Sequence, residues 1–210
     1  MLKHAKCKIC RRLGEKLFLK GEKCYSAKCA MVKRPFAPGQ KAKKRKSALT
    51  EYGKEVREKQ KMKKLYGVTE SQFERYVKEV SENRGKTENV ADELIQKIES
   101  RLDNIIFRLG WAKSRANANQ MVSHGHFLIN GKKVDIPSYA VHVNDVIGIK
   151  PGSMSKDSLK DISEKMKKNT LPAWLSFDKE KIEGKVIKKP ILGDIQLPAE
   201  IAVIFEHYSR

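Results

Sequence analysis

Apolar residues recur at helical spacing through the first half of the chain, then give way to short alternating runs. Between residues 47 and 66, Leu49, Tyr52, Val56 and Leu65 fall near one stripe, with Arg57, Lys59, Lys61, Lys63 and Lys64 elsewhere on the helix. Ser47 is the expected N-cap and Gly67 the stop. Thr69-Glu70-Ser71-Gln72 has the form of a capping box for a second helix, with Phe73, Tyr76, Val77 and Val80 inward. Gly85 ends that helix. Asn89 opens a third, carrying Val90, Leu94, Ile95 and Ile98 at helical spacing. Connections this short predict a compact helical domain.

From Glu99 the pattern changes. Leu102, Ile105, Ile106 and Leu109 mark a short helix stopped by Gly110. Ser114 caps another, with Ala118, Met121 and Val122 inward and Gly125 at its end. His126 to Val134 then reads as a hairpin whose Asn130-Gly131 pair suits a type I′ turn. A further strand pair is expected at Val141–Val143 and Val146–Ile149, turned at Asn144-Asp145. Ser158 to Lys168 reads as helix. The tail holds strand-like pieces, of which Ile201 to Phe205 is the clearest. The fold class expected is α+β, with a small antiparallel sheet.

Chemistry concentrates at the start of the chain. The four cysteines stand as Cys7-Lys8-Ile9-Cys10 and Cys24-Tyr25-Ser26-Ala27-Lys28-Cys29. Two close pairs joined by a short excursion can turn four thiolates toward one point, the spacing of a structural zinc site; an iron–sulfur cluster is the alternative. Four ligands leave no open position, so the site is expected to be structural rather than catalytic. Disulfides would need an oxidising compartment, and the N-terminus has no apolar signal region. A redox C-x-x-C pair would not need Cys24 and Cys29.

Charge then points to a partner. Residues 1–46 carry sixteen Lys and Arg against Glu15 and Glu22, within a chain of 210 residues whose net charge is +20. A dense polyanion is implied, and nucleic acid is the obvious candidate. Lys41, Lys43, Lys44, Arg45 and Lys46 form an arm behind Pro35, Pro38 and Gly39 that cannot bury itself. No uninterrupted apolar run reaches membrane-spanning length, and the arm lacks the apolar face that lipid binding needs. The expected location is the cytoplasm, with no membrane partner.

Two helices followed by a basic hairpin make a reader of RNA shape. The start of the second helix offers backbone N–H groups and Arg115 to phosphate. Lys132 and Lys133 are expected side by side, His124 and His126 flank Gly125, and Arg108 is expected on an exposed face. Arg101-Leu102-Asp103-Asn104-Ile105-Ile106-Phe107-Arg108-Leu109-Gly110, Ser114-Arg115, His124-Gly125-His126 and Asn130-Gly131 resemble the RNA-binding domain of small-subunit ribosomal protein S-four. The likeness extends to the cysteine spacing, Arg34-Pro35, Arg57-Glu58-Lys59-Gln60-Lys61, Pro172-Ala173-Trp174-Leu175 and Tyr208-Ser209-Arg210. The chain is similar over essentially its whole length to the bacterial four-cysteine form.

The resemblance implies a four-cysteine basic module and arm (1–46), a helical domain (47–98), an inserted helix–hairpin RNA-binding module (99–165) and a C-terminal segment (166–210) that packs back on both. It implies a non-enzymatic protein of the small ribosomal subunit that binds the 5′ domain of its rRNA early and orders a multi-helix junction there. Neighbouring small-subunit proteins are implied as partners, together with mRNA where it enters the subunit and an influence on translational accuracy. The RNA-binding set implied is the basic arm with Arg57, Lys61, Arg101, Arg108, Ser114, Arg115, Gln120, His124, Gly125, His126, Asn130, Gly131, Lys132 and Lys133. One departure stands out: Ala116, Asn117, Ala118 and Asn119 follow Arg115 where the family has more basic residues, so amides of Asn117, Asn119 and Gln120 are expected to replace some phosphate contacts. An RNA-modifying or RNA-quality-control protein carrying the same module is the competing function. It would need a catalytic domain, and the residues after Lys150 offer little room for one.

Overall fold

The computed structural model describes residues 6–39, 48–83, 89–154 and 171–209. The basic arm at 41–46, Ser47, Gly85 and the expected helix at 158–168 lie outside the described residues. The chain forms two compact units, residues 1–91 with 197–210 and residues 92–196. No described helix is long and apolar enough to cross a membrane.

In the first unit, short helices α1 (Lys6–Leu13) and α2 (Glu22–Tyr25) carry Cys7, Cys10 and Cys24. Cys29 is the N-cap of α3 (Ala30–Lys33), and α4 (Glu51–Tyr66) and α5 (Glu70–Glu82) follow. The first C-x-x-C is therefore not a free knuckle. Cys7 and Cys10 are one helical turn apart on α1, which brings both thiols to one side. Helix α4 begins at Thr50, whose hydroxyl accepts the Gly53 N–H at 3.2 Å. Its burial follows the expected stripe only in part: Leu65 is buried, but Leu49 and Tyr52 are exposed, and Lys61, Met62 and Lys63 are buried. Ion pairs make the burial of two lysines possible. Lys61 reaches Glu15 and Glu58 at 2.7 Å each, and Lys63 pairs with Glu70. The capping box at Thr69 and Gln72 forms as expected, and Phe73, Tyr76, Val77 and Val80 are buried.

The C-terminal residues Ile201–Ser209 are a helix, not a strand, and lie against α4 and α5. An unbroken apolar run cannot by itself distinguish the two. Here Ile201, Ile204 and Phe205 are buried, the i, i+3, i+4 pattern of one helical face. Within this unit Glu70 fastens the end of that helix. It meets Lys59 at 2.9 Å and Lys63, and accepts the Tyr208 hydroxyl proton at 3.2 Å.

The second unit holds α6 (Val90–Glu99 for its larger part), α7 (Leu102–Arg108), α8 (Arg115–Ser123) and five strands. These are β1 (Phe127–Ile129), β2 (Lys132–Val134), β3 (Val146–Ile149), β4 (Leu175–Asp178) and β5 (Glu183–Val186). They form one antiparallel sheet in the order β2-β1-β3-β5-β4. Two strands thus come from chain beyond residue 165. The expected Val141–Val143 strand is absent; Val146–Ile149 pairs with β1 and β5 instead. Residues 137–141 hold the start of α7, where Leu102 N–H donates to Tyr139 O, Asp103 N–H to Pro137 O and Val141 N–H to Ser100 O. Trp111, Phe127, Ile147 and Trp174, each at most 1 % exposed, centre the core between the helices and the sheet.

Burial alone would raise the Glu70 carboxyl, but hydrogen bonds from Lys63 and Lys59 outweigh it and bring its pKa down from 4.5 to about 2. A depressed carboxylate stabilises the fold above its unfolded pKa and loses that contribution as pH falls through the folded one. Glu70→Gln should therefore cost about 1 kcal/mol near neutrality, a figure reduced for screening at a half-exposed group. The gap from the unsubstituted protein should close between pH 4.5 and about 2. Urea denaturation across that range is the check, and a gap independent of pH would show that the Lys59 and Lys63 pairing carries no linkage.

Candidate nucleic-acid interface

The α7–α8 pair is organised by buried polar side chains. Glu99 is fully buried and accepts from Arg108 Nε at 3.0 Å, Arg108 Nη2 at 2.5 Å and the Asn104 amide. Asn104 in turn accepts from Arg115 Nε at 2.8 Å, and the Arg115 guanidinium lies over the Phe107 ring at 4.5 Å. Beside them Asp103 receives Arg101 in a forked pair, at 3.0 and 2.7 Å, and the Asn119 amide at 3.0 Å. Sequence reading missed Glu99 and gave Asp103 and Asn104 no role. Their signal was the intrusion of Asp103-Asn104 into an otherwise apolar helix, between Leu102 and Ile105.

This network changes the place of several expected RNA contacts. Arg101 is buried on Asp103. Arg108 is half-buried on Glu99 rather than on an exposed face. A carboxylate sealed from water needs its cations beside it, so these arginines turn inward. Asn119, whose amide was expected to replace a phosphate contact, donates to Asp103 instead, while Gln120 is exposed. Ser114 caps α8 by accepting the Asn117 N–H at 3.3 Å.

The other end of α8 meets the hairpin. Asn130 and Gly131 both have positive φ, 49° and 79°, as the two-residue type I′ turn requires. Asn130 does more than turn the chain: its amide donates to Asp145 at 2.8 Å and its oxygen accepts the Val146 N–H at 2.9 Å. His126 is buried and bonds to Ser153 Oγ at 3.1 Å, whereas His124 is exposed. Gly125 has φ of 69°, and a Cβ there would meet Lys133 Cε at 2.3 Å, so the lysine lies across the glycine. Lys132 and Lys133 are both exposed, but successive strand residues point to opposite faces of the sheet. They are not side by side. Lys133 thus lies over the residue that follows His124 and pairs with the exposed Asp135 at 3.6 Å, while Lys132 sits opposite Ile129. Gly131 is exposed at the tip.

In the first unit Arg57 and Lys61 join the cysteine module to α4. Arg57 donates to Leu13 O from Nε at 3.1 Å and from Nη2, and Lys61 bridges Glu15 and Glu58. The four cysteines line one small cavity of about 10 Å³ with Leu19, Lys20 and Met31. The Lys20 N–H donates to Cys24 Sγ at 3.4 Å. Burial pushes the Cys10 thiol up, against a backbone hydrogen bond from Leu17; the three other cysteines push it the same way. No group of three or more His, Cys, Asp or Glu among the described residues is placed to hold an ion as it stands. The donor chemistry and the shared cavity nonetheless fit a four-thiolate ion.

Residues 1–99 match the Ribosomal protein S4/S9 N-terminal domain, and residues 100–147 match the S4 domain. The chain is 46% identical over 206 residues to small ribosomal subunit protein uS4 of Ruminiclostridium cellulolyticum, covering 98% of this chain and 97% of that one. It is 48% identical, at the same coverage, to small ribosomal subunit protein uS4A of Clostridium botulinum. To uS4 of Caldicellulosiruptor saccharolyticus it is 48% identical over 97% of this chain and 96% of the relative.

Glu99→Ala should strand Arg108 and the Asn104 amide in a site without water. The expected loss is about 3 kcal/mol from the second unit. Both tryptophans of the chain, Trp111 and Trp174, sit in that unit's core, so denaturation followed by their fluorescence reads it directly. A loss below about 1 kcal/mol, the range of an exposed pair, would mean that the network is not what orients α7 and α8.

Proposed function

The chain belongs to the uS4 family of small ribosomal subunit proteins, and from that premise we propose that it is a structural rRNA-binding component of the small subunit. The family is structural and the chain is not an enzyme, which decides against the RNA-modifying alternative. The observation that carries the reading is the Gln120, His124 and Lys133 surface. It is exposed and mounted on a helix–hairpin unit in which Glu99 and Asp103 are turned inward, with the exposed Asp135 3.6 Å from Lys133.

The binding site is the 5′ domain of small-subunit rRNA. Gln120, His124 and Lys133 meet sugar and phosphate oxygens, Lys132 reaches from the other face of the hairpin, and the arm from Lys41 to Lys46 adds long-range attraction. Arg101 and Arg108 act behind this surface by holding it in shape, and Arg57 and Lys61 hold the cysteine module on α4 in the other unit. Phe107 and Asn104 fix the plane of the Arg115 guanidinium at the start of α8. A cationic protein bound across several RNA helices favours the compact junction by its differential affinity for that state. This makes the protein an early-binding organiser of the subunit body. Neighbouring small-subunit proteins pack beside it, and its place where mRNA enters links it to translational accuracy.

Cys7, Cys10, Cys24 and Cys29 hold one structural ion, zinc in preference to an iron–sulfur cluster. When bound it supplies a cross-link between α1 and the α2–α3 turn, in a module too small to build a core.

Chemical footprinting of the rRNA 5′ domain with this protein alone tests the role. Protection should span several helices and reach the junction; protection of one helix only would rule out the organising function. Cys24→Ser or Cys29→Ser should abolish stoichiometric zinc by elemental analysis and raise hydrogen exchange across residues 6–39. The second unit should keep its fluorescence. Full protection of 6–39 in a metal-free variant would remove the cross-link from the account.

A further inference from the structure

The cysteine module displays an aromatic pair that nothing in its own fold uses. Phe18 and Tyr25 are stacked with ring centroids 4.8 Å apart and planes at 29°. They are 39% and 76% exposed. Each ring follows a buried anchor: Leu17 is 1% and Cys24 8% exposed. The chain therefore turns inward at one residue and outward at the next, twice. Phe18 achieves this with φ of 51°, a left-handed conformation that a bulky side chain rarely takes, and such strain persists where surrounding structure enforces it.

Three bonds do the enforcing. Gly21 N–H donates to Phe18 O at 3.3 Å, Cys24 N–H to Gly21 O at 2.7 Å and Lys20 N–H to Cys24 Sγ at 3.4 Å. One tight turn thus carries both rings, and neither ring has to be ordered when a ligand arrives. The module is fixed in its turn to α4 through Arg57 and Lys61. Exposed Lys16, Lys20, Lys23 and Lys28 neighbour the rings in the chain, together with exposed Glu22, and Glu15 is engaged by Lys61.

We propose that the stacked Phe18 and Tyr25 rings form a platform for an unpaired nucleobase of RNA, with the adjacent lysines on its phosphates. Every base has a π-face, so an exposed ring within a cationic field selects a stacked base without reading its sequence. Paired bases hide those faces inside the duplex, so the ligand is a flipped-out or single-stranded nucleotide. The inference rests on the rRNA-binding reading above and assigns a contact of its own to the cysteine module.

The test uses the full chain and the rRNA 5′ domain. Tyr25→Ala combined with Phe18→Ala should weaken binding about tenfold or more. The slope of log affinity against log salt should stay the same, because stacking releases no counterions. Lys20→Gln with Lys23→Gln should do the opposite and flatten the slope. Tyr25→Phe, which keeps the ring, should bind like the unsubstituted protein. Ultraviolet cross-linking of the unsubstituted protein should join Tyr25 or Phe18 to a nucleotide that is unpaired in the folded RNA; this arm needs no variant to fold. Undiminished affinity of the double alanine variant, or a cross-link to a duplex nucleotide or to none, would overturn the platform. Failure of the unsubstituted protein to bind the 5′ domain would instead overturn the rRNA-binding reading from which it starts.

Discussion

A chain with twenty net positive charges must fold against its own repulsion, and several of its carboxylates are placed where one relieves more than one group. Glu70 takes Lys59, Lys63 and the Tyr208 hydroxyl; Glu99 takes Arg108 and Asn104; Asp103 takes Arg101 and Asn119. Lys61 is the inverse case, one buried ammonium between Glu15 and Glu58. Burial of Glu99 and Asp103 is costly alone and tolerable only with their partners in place. The arrangement therefore selects one packing, because a shifted helix would leave a charge stranded. What remains outside is the unbalanced cationic surface.

Rigidity follows from the same arrangement. In the second unit Asn104 connects Glu99 to Arg115, so the α7–α8 turn cannot relax without exposing a buried carboxylate. In the first, Arg57 and Lys61 couple the cysteine module to α4, and Glu70 fixes the C-terminal helix to α4 and α5. A surface held in place before binding loses less entropy on meeting its partner than a set of free lysines would. Cations of this chain thus fall into two kinds. Some are clamped and set geometry, and others are displayed and meet the polyanion.

Periodicity and caps made most elements legible. The Thr69 box, Ser114 and the Asn130-Gly131 turn behave as their local chemistry dictates. Ile201 to Phe205 did not, because an apolar run without polar interruption carries no period. Val141 to Val143 misled for a related reason: β-branched residues suit a strand, but Val146–Ile149 had better partners in β1 and β5. At the candidate site, residue types were legible and their roles were not. Arg101 and Arg108 look like RNA ligands in a basic sequence, and only tertiary placement reveals that Asp103 and Glu99 hold them. Phe18 was equally opaque, since nothing in a sequence announces a left-handed phenylalanine.

Charge and stacking respond differently to the medium, and this bears on how such a surface discriminates. Attraction by lysines weakens as counterions compete for phosphate, and it acts on any RNA. A stacked ring pair is indifferent to salt but sees only a base that has left its helix. Combined on one rigid module, the first term brings RNA near and the second rewards an RNA whose fold leaves a base unpaired at the right place. As ionic strength rises, the second term makes up a larger share of what binding remains. Selectivity for folded over unfolded or unrelated RNA should then increase with salt while affinity falls, a combination that lysines alone cannot produce.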